Sequence, residues 1–316
     1  MSVLNRSHFY DEKAAFAYVE SILWPQGPVC PHCGAMDRGY KLEGVRNKPN
    51  AEQREKGEPG SERHGLYKCG ECRKQYTVRH NTIFAESHCP LHKWLQAIHL
   101  ICSSKKGISS HQLHRVLEVQ YKTAWFLSHR IREAMRSGDL TPFGGGGSPV
   151  EVDETFIGME PGKTKKHGYA HKMKVLALVD RNTGQARSMV VDNLKLSTLM
   201  PILKENIAKE AVVLTDEAAY YTSLGKHFSQ HEHVRHSIGE YVYGPIHTNT
   251  IEGYFSIFKR GMKGVYQHCS KRHLHRYLAE FDFRYNFRVR NGYDDAQRAT
   301  QALLGVVGKR LMYRDS

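Results

Sequence analysis

Four cysteines of this chain stand in two pairs, and two residues separate the members of each pair. Both sulfurs of such a pair can reach one ion from a tight turn, so two turns supply the four thiolates of a tetrahedral site. A redox dithiol would need only one pair beside a βαβ unit, and metal-free reduced cysteines are the other alternative. We predict one structural Zn²⁺ ion held by Cys30, Cys33, Cys69 and Cys72.

Two acidic residues end apolar runs in the C-terminal half of the chain. Asp153 follows the alternating residues Val150 and Val152, which suit a strand, and strand geometry is expected to place Asp153 and Glu154 on opposite faces. Asp216 ends the apolar run 211–216, which is typical of a buried strand. Functional groups collect at the carboxyl ends of strands in open α/β sheets.

A third acidic residue, Glu252, lies in a predicted helix that begins near Thr248 and runs to Gly261. Lys259 follows Glu252 by seven residues, so the two side chains share a helix face about 10 Å apart along the axis. Acidic and basic groups on one helix face can bind a metal ion and a phosphate side by side. The alternative is that each charged residue is merely solvated at the end of a strand or helix.

The elements around these acidic residues have a recognisable order. The first strand is followed by predicted strands over 174–180 and 186–191, a helix over 195–209, and the strand 211–216. The helix that carries Glu252 comes last. Acidic residues on the first strand, the fourth strand and the last helix are the arrangement of a ribonuclease H-like α/β fold.

Residues before this region predict helices. The first helix has an apolar face formed by Trp94, Leu95, Ile98 and Ile101, and two more are predicted over 111–117 and 121–135. Two helices joined by a short turn match a helix-turn-helix, although a plain helical hairpin has the same pattern. In that interpretation the last helix points Lys122, His129, Arg130 and Arg132 outward, towards DNA.

Composition changes along the chain suggest a multidomain α/β protein. We predict a zinc ribbon over 1–85 with a polar insertion at 41–64, and a helix-turn-helix domain over 86–140. The stretch 141–149 contains four successive glycines between two prolines, which favours a flexible linker. The catalytic domain would then occupy 150–316.

The charge of the chain favours a polyanionic partner. There are 46 Lys and Arg residues against 32 Asp and Glu residues, a formal net charge of +14. Such an excess gives affinity for nucleic acids through counterion release, although an ordinary basic enzyme has a similar balance. No stretch approaches the ~18 apolar residues that a membrane span needs, so we expect no membrane association.

Several motifs resemble those of the Asp-Asp-Glu transposases of bacterial insertion sequences, in the zinc-ribbon group called ISXO-like. The resemblance covers nearly the whole chain. It is sharpest over residues 152–158, at Thr215 and Asp216, over 247–253 and over 259–261, and it extends to 272–278 and 281–286.

The resemblance implies a catalytic triad of Asp153, Asp216 and Glu252, with Lys259 as the basic residue on the same helix. Two Mg²⁺ or Mn²⁺ ions would be held by the three carboxylates, because hard cations prefer oxygen ligands and two such ions can activate a nucleophile and neutralise a leaving oxygen. Some relatives place Asn as the third ligand, so Asn249 is a rival to Glu252.

The resemblance also implies partners. The protein would bind double-stranded DNA at terminal inverted repeats and at the target, nick the ends and join the 3′-hydroxyls to target DNA, as a homodimer or larger synaptic assembly. We expect it in the bacterial cytoplasm, associated with the nucleoid when bound. Residues predicted to contact DNA are Lys122, Arg130, Arg132, Lys165, Lys166, Lys172, Arg260, Lys263, Lys271 and Arg272.

Two other functions remain possible from the residues. A regulator that binds DNA through the ribbon and the helix-turn-helix, without catalysis, would have no need for three carboxylates and a lysine. A ribonuclease H-type nuclease would have no need for a site-specific DNA-binding region before its catalytic domain. A Mg²⁺-dependent nicking assay separates the first from a transposase, and strand joining separates the second.

Overall fold

The computed structural model describes residues 3–216, 221, 224–233 and 248–312. Two compact units are present. Among the described residues, the first comprises 3–103, 110–134 and 295–312, and the second comprises 104–109 and the described part of 135–294. No described helix is both long and apolar enough to cross a bilayer.

The first unit begins with helix α1 (Glu12–Leu23), whose N-terminus is capped by the Asp11 carboxylate, which accepts from the amide of Ala14. A small antiparallel sheet follows, ordered β1 (Gly39–Lys41), β2 (Tyr67–Cys69) and β3 (Gln75–Tyr76). Its short core includes Cys30, Cys69 and the fully buried Tyr76. The polar insertion carries one short helix, α2 (Ala51–Glu55).

Four further helices complete the first unit: α3 (Leu91–Ser103), α4 (Ser110–Leu117), α5 (Tyr121–Ala134) and α9 (Asp295–Leu304). The predicted apolar face of α3 is buried. Helices α4 and α5 are joined by the short turn that a helix-turn-helix requires, with Glu118 in the left-handed region at φ 50°. The DNA-binding role of this pair stays a prediction.

Helix α5 does not point its basic residues outward as predicted. His129, Arg130 and Arg132 are buried, with only 4% of Arg130 and 1% of Arg132 exposed. The Arg130 guanidinium donates to the carbonyl oxygens of Ile83, Ala85 and Leu311, and Arg132 donates to the Ser128 hydroxyl. Arg130 satisfies backbone acceptors of the first unit and Arg132 a side-chain acceptor, because a buried guanidinium must find hydrogen-bond partners. Their assignment to DNA is therefore wrong, whereas Lys122 is exposed.

The second unit contains a five-stranded sheet in the order β6-β5-β4-β7-β8. Strands β4, β5 and β6 pair antiparallel, and β7 and β8 add in parallel beside β4. The strands are β4 (Pro149–Ile157), β5 (Met173–Asp180), β6 (Ala186–Val191), β7 (Val212–Thr215) and β8 (Gln230–His233). The sequence order of β4 to β7 agrees with the order predicted for a ribonuclease H-like fold, whereas β8 was not predicted.

Helices cover both faces of this sheet, because its strands bury apolar side chains on each side. On one face, Val152 and Leu178 pack with α6 (Leu196–Asn206). On the other face, Val175 and Val179 pack with α7 (Asn249–Gly261) and α8 (Lys271–Asn286). The second core is rich in aromatic residues, which fixes the position of α7 against the sheet.

The glycine stretch is part of the second unit rather than a free linker. Gly144 donates its amide to the Asp180 carboxylate at 2.9 Å, and buried Phe143 forms a parallel bridge with Ile207. Gly144, Gly146 and Gly147 all have positive φ angles, so the glycines allow a tight turn into β4.

The predicted boundaries also differ from the observed units at the other end of the catalytic domain. Helix α9 groups with α3 in the first unit, although the prediction assigned 150–316 to one domain. The apolar face of α9, with Ala302 and Leu303, is buried there, and Arg298 donates to the carbonyl oxygen of Cys102 at 2.8 Å. The ribbon and the helices, predicted as separate domains, also belong to one unit.

Candidate zinc centre and active site

The two cysteine pairs meet at the spacing of a tetrahedral metal site. The Sγ atoms of Cys30 and Cys72 are 3.7 Å apart, as are those of Cys33 and Cys69, and all four sulfurs lie within 4.8 Å of one another. Four sulfurs bound at about 2.3 Å from a zinc ion would be about 3.8 Å apart. The distances therefore fit structural zinc.

The backbone around Cys69 favours its thiolate form. Hydrogen bonds from the amides of Cys72 and Glu71 lower the pKa of the Cys69 thiol to about 7, although burial opposes them. Tight turns hold each pair, with the Gly34 amide donating to the Cys30 carbonyl and the Arg73 amide to the Cys69 carbonyl. Because zinc binds the thiolate form, the amides that donate to Cys69 prepare this one ligand for the metal.

Asp153 and Asp216 are brought together by two neighbouring parallel strands. The pairing of β4 with β7 places Glu151 opposite Leu214, and two residues further along each chain come Asp153 and Asp216. Carboxylate oxygens of Asp153, Glu154 and Asp216 lie within 4.8 Å of one another. Negative charge is therefore concentrated beside the point where the pairing of β4 with β7 ends.

This concentration of charge perturbs Asp153. Burial raises the pKa of its carboxyl to about 8, and neighbouring negative charges add to the rise. Those charges lie on Glu154, Asp216 and Glu252. Like charges this close favour either a proton or a bound cation, and oxygen ligands suit Mg²⁺ or Mn²⁺.

Glu154 joins the cluster, although strand geometry predicted that it would face away from Asp153. Beyond Glu151, β4 is no longer paired with β7 but remains paired with β5, so the side chains there have no β7 residue opposite them. The Asp153 carboxylate turns along the strand to accept from the Glu154 amide at 2.7 Å. Glu154 in turn accepts from the hydroxyl of the buried Tyr221 at 2.9 Å. Sequence reasoning missed both residues, since no spacing rule connects Tyr221 to β4.

Glu252 lies in the first turn of α7 and is exposed. It is close enough to raise the pKa of Asp153, but it is not among the three carboxylates that lie within 4.8 Å of one another. Its Oε1 atom accepts from the Thr248 hydroxyl at 3.3 Å. Its rival Asn249 is exposed at the first position of the same helix. His247, the first residue of the sequence motif, lies outside the described residues.

Lys259 lies two turns after Glu252 on α7, as predicted. Its Nζ atom is 5.9 Å from the centre of the Phe255 ring, which holds the side chain along the helix. The cation–π contact leaves the ammonium able to meet a phosphate. Its part in the reaction stays a prediction.

The other predicted DNA contacts fall into two groups. Exposed cations are present at Lys165, Lys166, Arg260, Lys263 and Arg272, and half-buried Lys172 lies 5.0 Å from the Tyr169 ring centre. Lys271 instead pairs with Asp192 at 2.6 Å and with Glu160 at 3.4 Å.

Not every cation between residues 253 and 290 lies on the surface. Arg276 and Arg284 are buried, and Arg284 pairs with Glu280 at 3.1 Å. Buried arginines of this kind hold helices together, so they do not add to a surface that tracks a DNA backbone.

Comparison with known proteins identifies both regions. A profile of the ISXO2-like transposase domain matches residues 145–286, and a profile of the transposase zinc-ribbon domain matches residues 10–75. A protein described as uncharacterised, in the transposable element ISH50 of Halobacterium salinarum, is 27% identical over 298 residues. That alignment covers 87% of this chain and 91% of the relative.

Solved structures resemble the chain only distantly. The catalytic core domain of BIV integrase has a TM-score of 0.28 and 13% identity, covering 43% of this chain and 82% of its own. A simian T-cell lymphotropic virus intasome, in complex with PP2A regulatory subunit B56 gamma, has a TM-score of 0.27 and 11% identity, covering 54% of this chain and 63% of its own. The identification depends on the two profiles, which contain all four cysteines and all three predicted catalytic acids.

Proposed function

We propose, from the premise that this chain is a DDE-type transposase of an insertion sequence with a zinc ribbon and an ISXO2-like domain, that Asp153, Asp216 and Glu252 form its catalytic centre. The reaction would be metal-dependent cleavage of the element's ends, followed by transfer of the freed 3′-hydroxyls to target DNA. The observation that carries the proposal is the meeting of Asp153 and Asp216 just beyond the point where the parallel pairing of β4 with β7 ends.

The chemistry of the donors supports divalent metal ions at this centre. Two Mg²⁺ or Mn²⁺ ions would supply an activated nucleophile and a neutralised leaving oxygen. Asp153 and Asp216 would hold them from the sheet, and Glu252 or its rival Asn249 from α7. Lys259, on the face of α7 that carries Glu252, would hold a phosphate of the bound strand.

DNA recognition would be divided between the two units. The zinc ribbon and the α4–α5 pair, with exposed Lys122, would bind the terminal inverted repeats. Exposed cations of the second unit would neutralise phosphates near the cleavage site and on the target. Because two ends must be joined in one event, we expect a homodimer or larger synaptic assembly, acting in the cytoplasm on nucleoid DNA.

A strand-transfer assay with the full-length protein tests this proposal. Asp153→Asn and Asp216→Asn are expected to lower both nicking and joining by more than about a hundredfold, because changes that merely disturb metal-ligand orientation already cost about 10–100-fold. Glu205→Gln is the matched control, since Glu205 is an exposed carboxylate on α6, on the opposite face of the sheet from α7.

Three outcomes would contradict the proposal. Joining that survives either aspartate substitution would remove the catalytic assignment. Specific binding without any metal-dependent nicking would favour a DNA-binding regulator. Cleavage of RNA–DNA hybrids without joining would favour a ribonuclease H-type nuclease.

A further inference from the structure

Strand β4 carries a third carboxylate, two residues before Asp153, and it is completely buried. Glu151 has 0% of its surface exposed. Its Oε1 atom accepts from Nε of Arg181 at 2.6 Å, and its Oε2 atom accepts from the backbone amide of Ile251 at 2.8 Å. The carboxylate therefore connects Arg181, the cation directly after β5, with the first turn of α7.

The first turn of α7 needs such an acceptor. The amides at a helix N-terminus have no partner within the helix, and a side chain at the N-cap position usually accepts from one of them. Thr248 occupies the N-cap position but makes no side-chain cap hydrogen bond. Glu151 supplies the missing acceptor from a strand 100 residues earlier, and its negative charge suits the positive end of the helix dipole.

The bridge connects two parts of the catalytic centre. Ile251 directly precedes Glu252, and Glu151 precedes Asp153 by two residues on one strand. We propose that Glu151, anchored by Arg181, is a positioning residue that fixes the helix bearing Glu252 against the strand bearing Asp153. This inference depends on the proposed function, because it assigns a role within the same catalytic centre.

Stability alone does not account for a buried ion pair here. Replacing a buried pair by apolar residues of similar volume is often neutral or stabilising, because both charges lose their hydration on burial. The Ile251 side chain is already fully buried, so apolar packing alone could hold α7 on the sheet. Packing fixes depth, but a hydrogen bond to one amide also fixes the rotation and axial position of the helix. Those two variables determine where Glu252 points.

The test compares three variants of the full-length protein. Glu151→Gln keeps an oxygen acceptor but removes the charge, and it leaves Arg181 without its anion. Glu151→Leu with Arg181→Met removes the pair together, so no lone buried charge can unfold the protein. Asp180→Asn is the matched control. Asp180 is also a buried carboxylate, but it accepts hydrogen bonds from amides of the glycine stretch and of the turn after β5.

Two readouts do not require activity. Hydrogen–deuterium exchange reports protection of the amides in peptides that cover 248–256, and Mn²⁺ titration followed by electron paramagnetic resonance reports affinity at the carboxylates. We expect both Glu151 variants to exchange faster at the start of α7 and to bind Mn²⁺ about 10–100-fold more weakly. The Asp180→Asn control is expected to retain wild-type behaviour in both measurements.

The outcomes separate the inference from the proposed function. If wild-type protein binds Mn²⁺, Asp153→Asn does not, and the folded double variant binds like wild type, the positioning role is overturned while the catalytic centre stands. If Asp153→Asn binds Mn²⁺ like wild type, the proposed centre itself fails. Faster exchange without weaker Mn²⁺ binding would make Glu151 a helix cap only, which also overturns the positioning role.

Discussion

The two predicted metal sites differ in how completely the polypeptide assembles them. In the zinc ribbon, four sulfurs already lie at the spacing of a tetrahedron. At the candidate active site, the predicted ligands Asp153 and Asp216 lie close together. Glu252 lies outside this closest cluster, which includes Glu154 instead.

The difference follows from charge and from chain separation. A thiol is neutral until it loses its proton, so four cysteines can pack without repulsion. Three carboxylates repel one another as soon as they ionise, and this repulsion adds to burial, the main cause that raises the pKa of Asp153 to about 8. Tight turns also hold both cysteines of a pair, whereas each acid of the triad comes from a different element. We infer that zinc binding and folding of the ribbon are one event, whereas the catalytic site is completed only when metal ions and DNA bind to a sheet that is already folded.

Removing zinc should have the largest effect, because the ribbon has a small core. Structural zinc contributes about 10–16 kcal/mol of binding free energy in small domains, far more than such a core supplies. Cys69→Ser or a strong chelator is therefore expected to unfold residues 10–75 while the sheet of the second unit persists. Exchange measured separately over 10–75 and 145–286 checks this.

The matched control for this experiment is Cys269→Ser, since Cys269 is a half-buried cysteine of the second unit and lies outside the four-sulfur cluster. A ribbon that keeps its protection without metal would contradict the contrast between the two sites.

Asp153 should make the free energy of unfolding depend on pH in the opposite sense from a carboxylate whose pKa is lowered on folding. In the metal-free folded protein Asp153 keeps its proton up to about pH 8, whereas in the unfolded chain it ionises near its usual pKa of about 3.9. The folded state thus holds more protons across this window, so the free energy of unfolding falls as pH rises from about 4 to about 8. Urea denaturation at several pH values checks the slope.

Asp153→Asn should flatten this pH dependence, and Mn²⁺ should reverse part of it by stabilising the ionised carboxylates. An unchanged slope in the variant would show that another group causes it, and the comparison between neutral thiols and repelling acids would lose its basis.

A smaller effect distinguishes cations that support the first unit from cations that meet DNA. Arg130→Met leaves buried carbonyl oxygens without donors and is expected to cost about 2–3 kcal/mol of unfolding free energy. Lys122→Met should change stability by less than about 0.5 kcal/mol, but it should reduce the salt dependence of DNA binding by about one phosphate contact.

Urea midpoints and DNA titrations at several salt concentrations measure the two effects separately. If Arg130→Met weakened DNA binding at unchanged stability, the structural role of α5 would be wrong.

Local patterns in the sequence predicted much of this architecture. Strand β6 was predicted over the observed residues Ala186–Val191, and β5 and α7 within one residue of their observed starts. The apolar face of α3 and the cysteine pairs were also predicted, because periodicity and ligand spacing are local signals.

The wrong predictions share a cause in long-range contacts. The carbonyl oxygens that accept hydrogen bonds from buried Arg130 belong to residues 47, 45 and 181 positions away in the sequence. Glu154 accepts a hydrogen bond from Tyr221, and α9 packs against α3, which lies almost 200 residues earlier in the chain. Helical periodicity cannot reveal such acceptors, so a buried arginine was assigned to the surface.

The return of α9 to the first unit has a consequence for biosynthesis. The ribosome makes the ribbon and its helices first, yet the last helix of that unit emerges only after the entire five-stranded sheet has been translated. A nascent chain therefore exposes the α3 surface that α9 will cover until residues 295–304 are released. Translation that stops shortly before this point would leave the five-stranded sheet complete and the first unit unfinished.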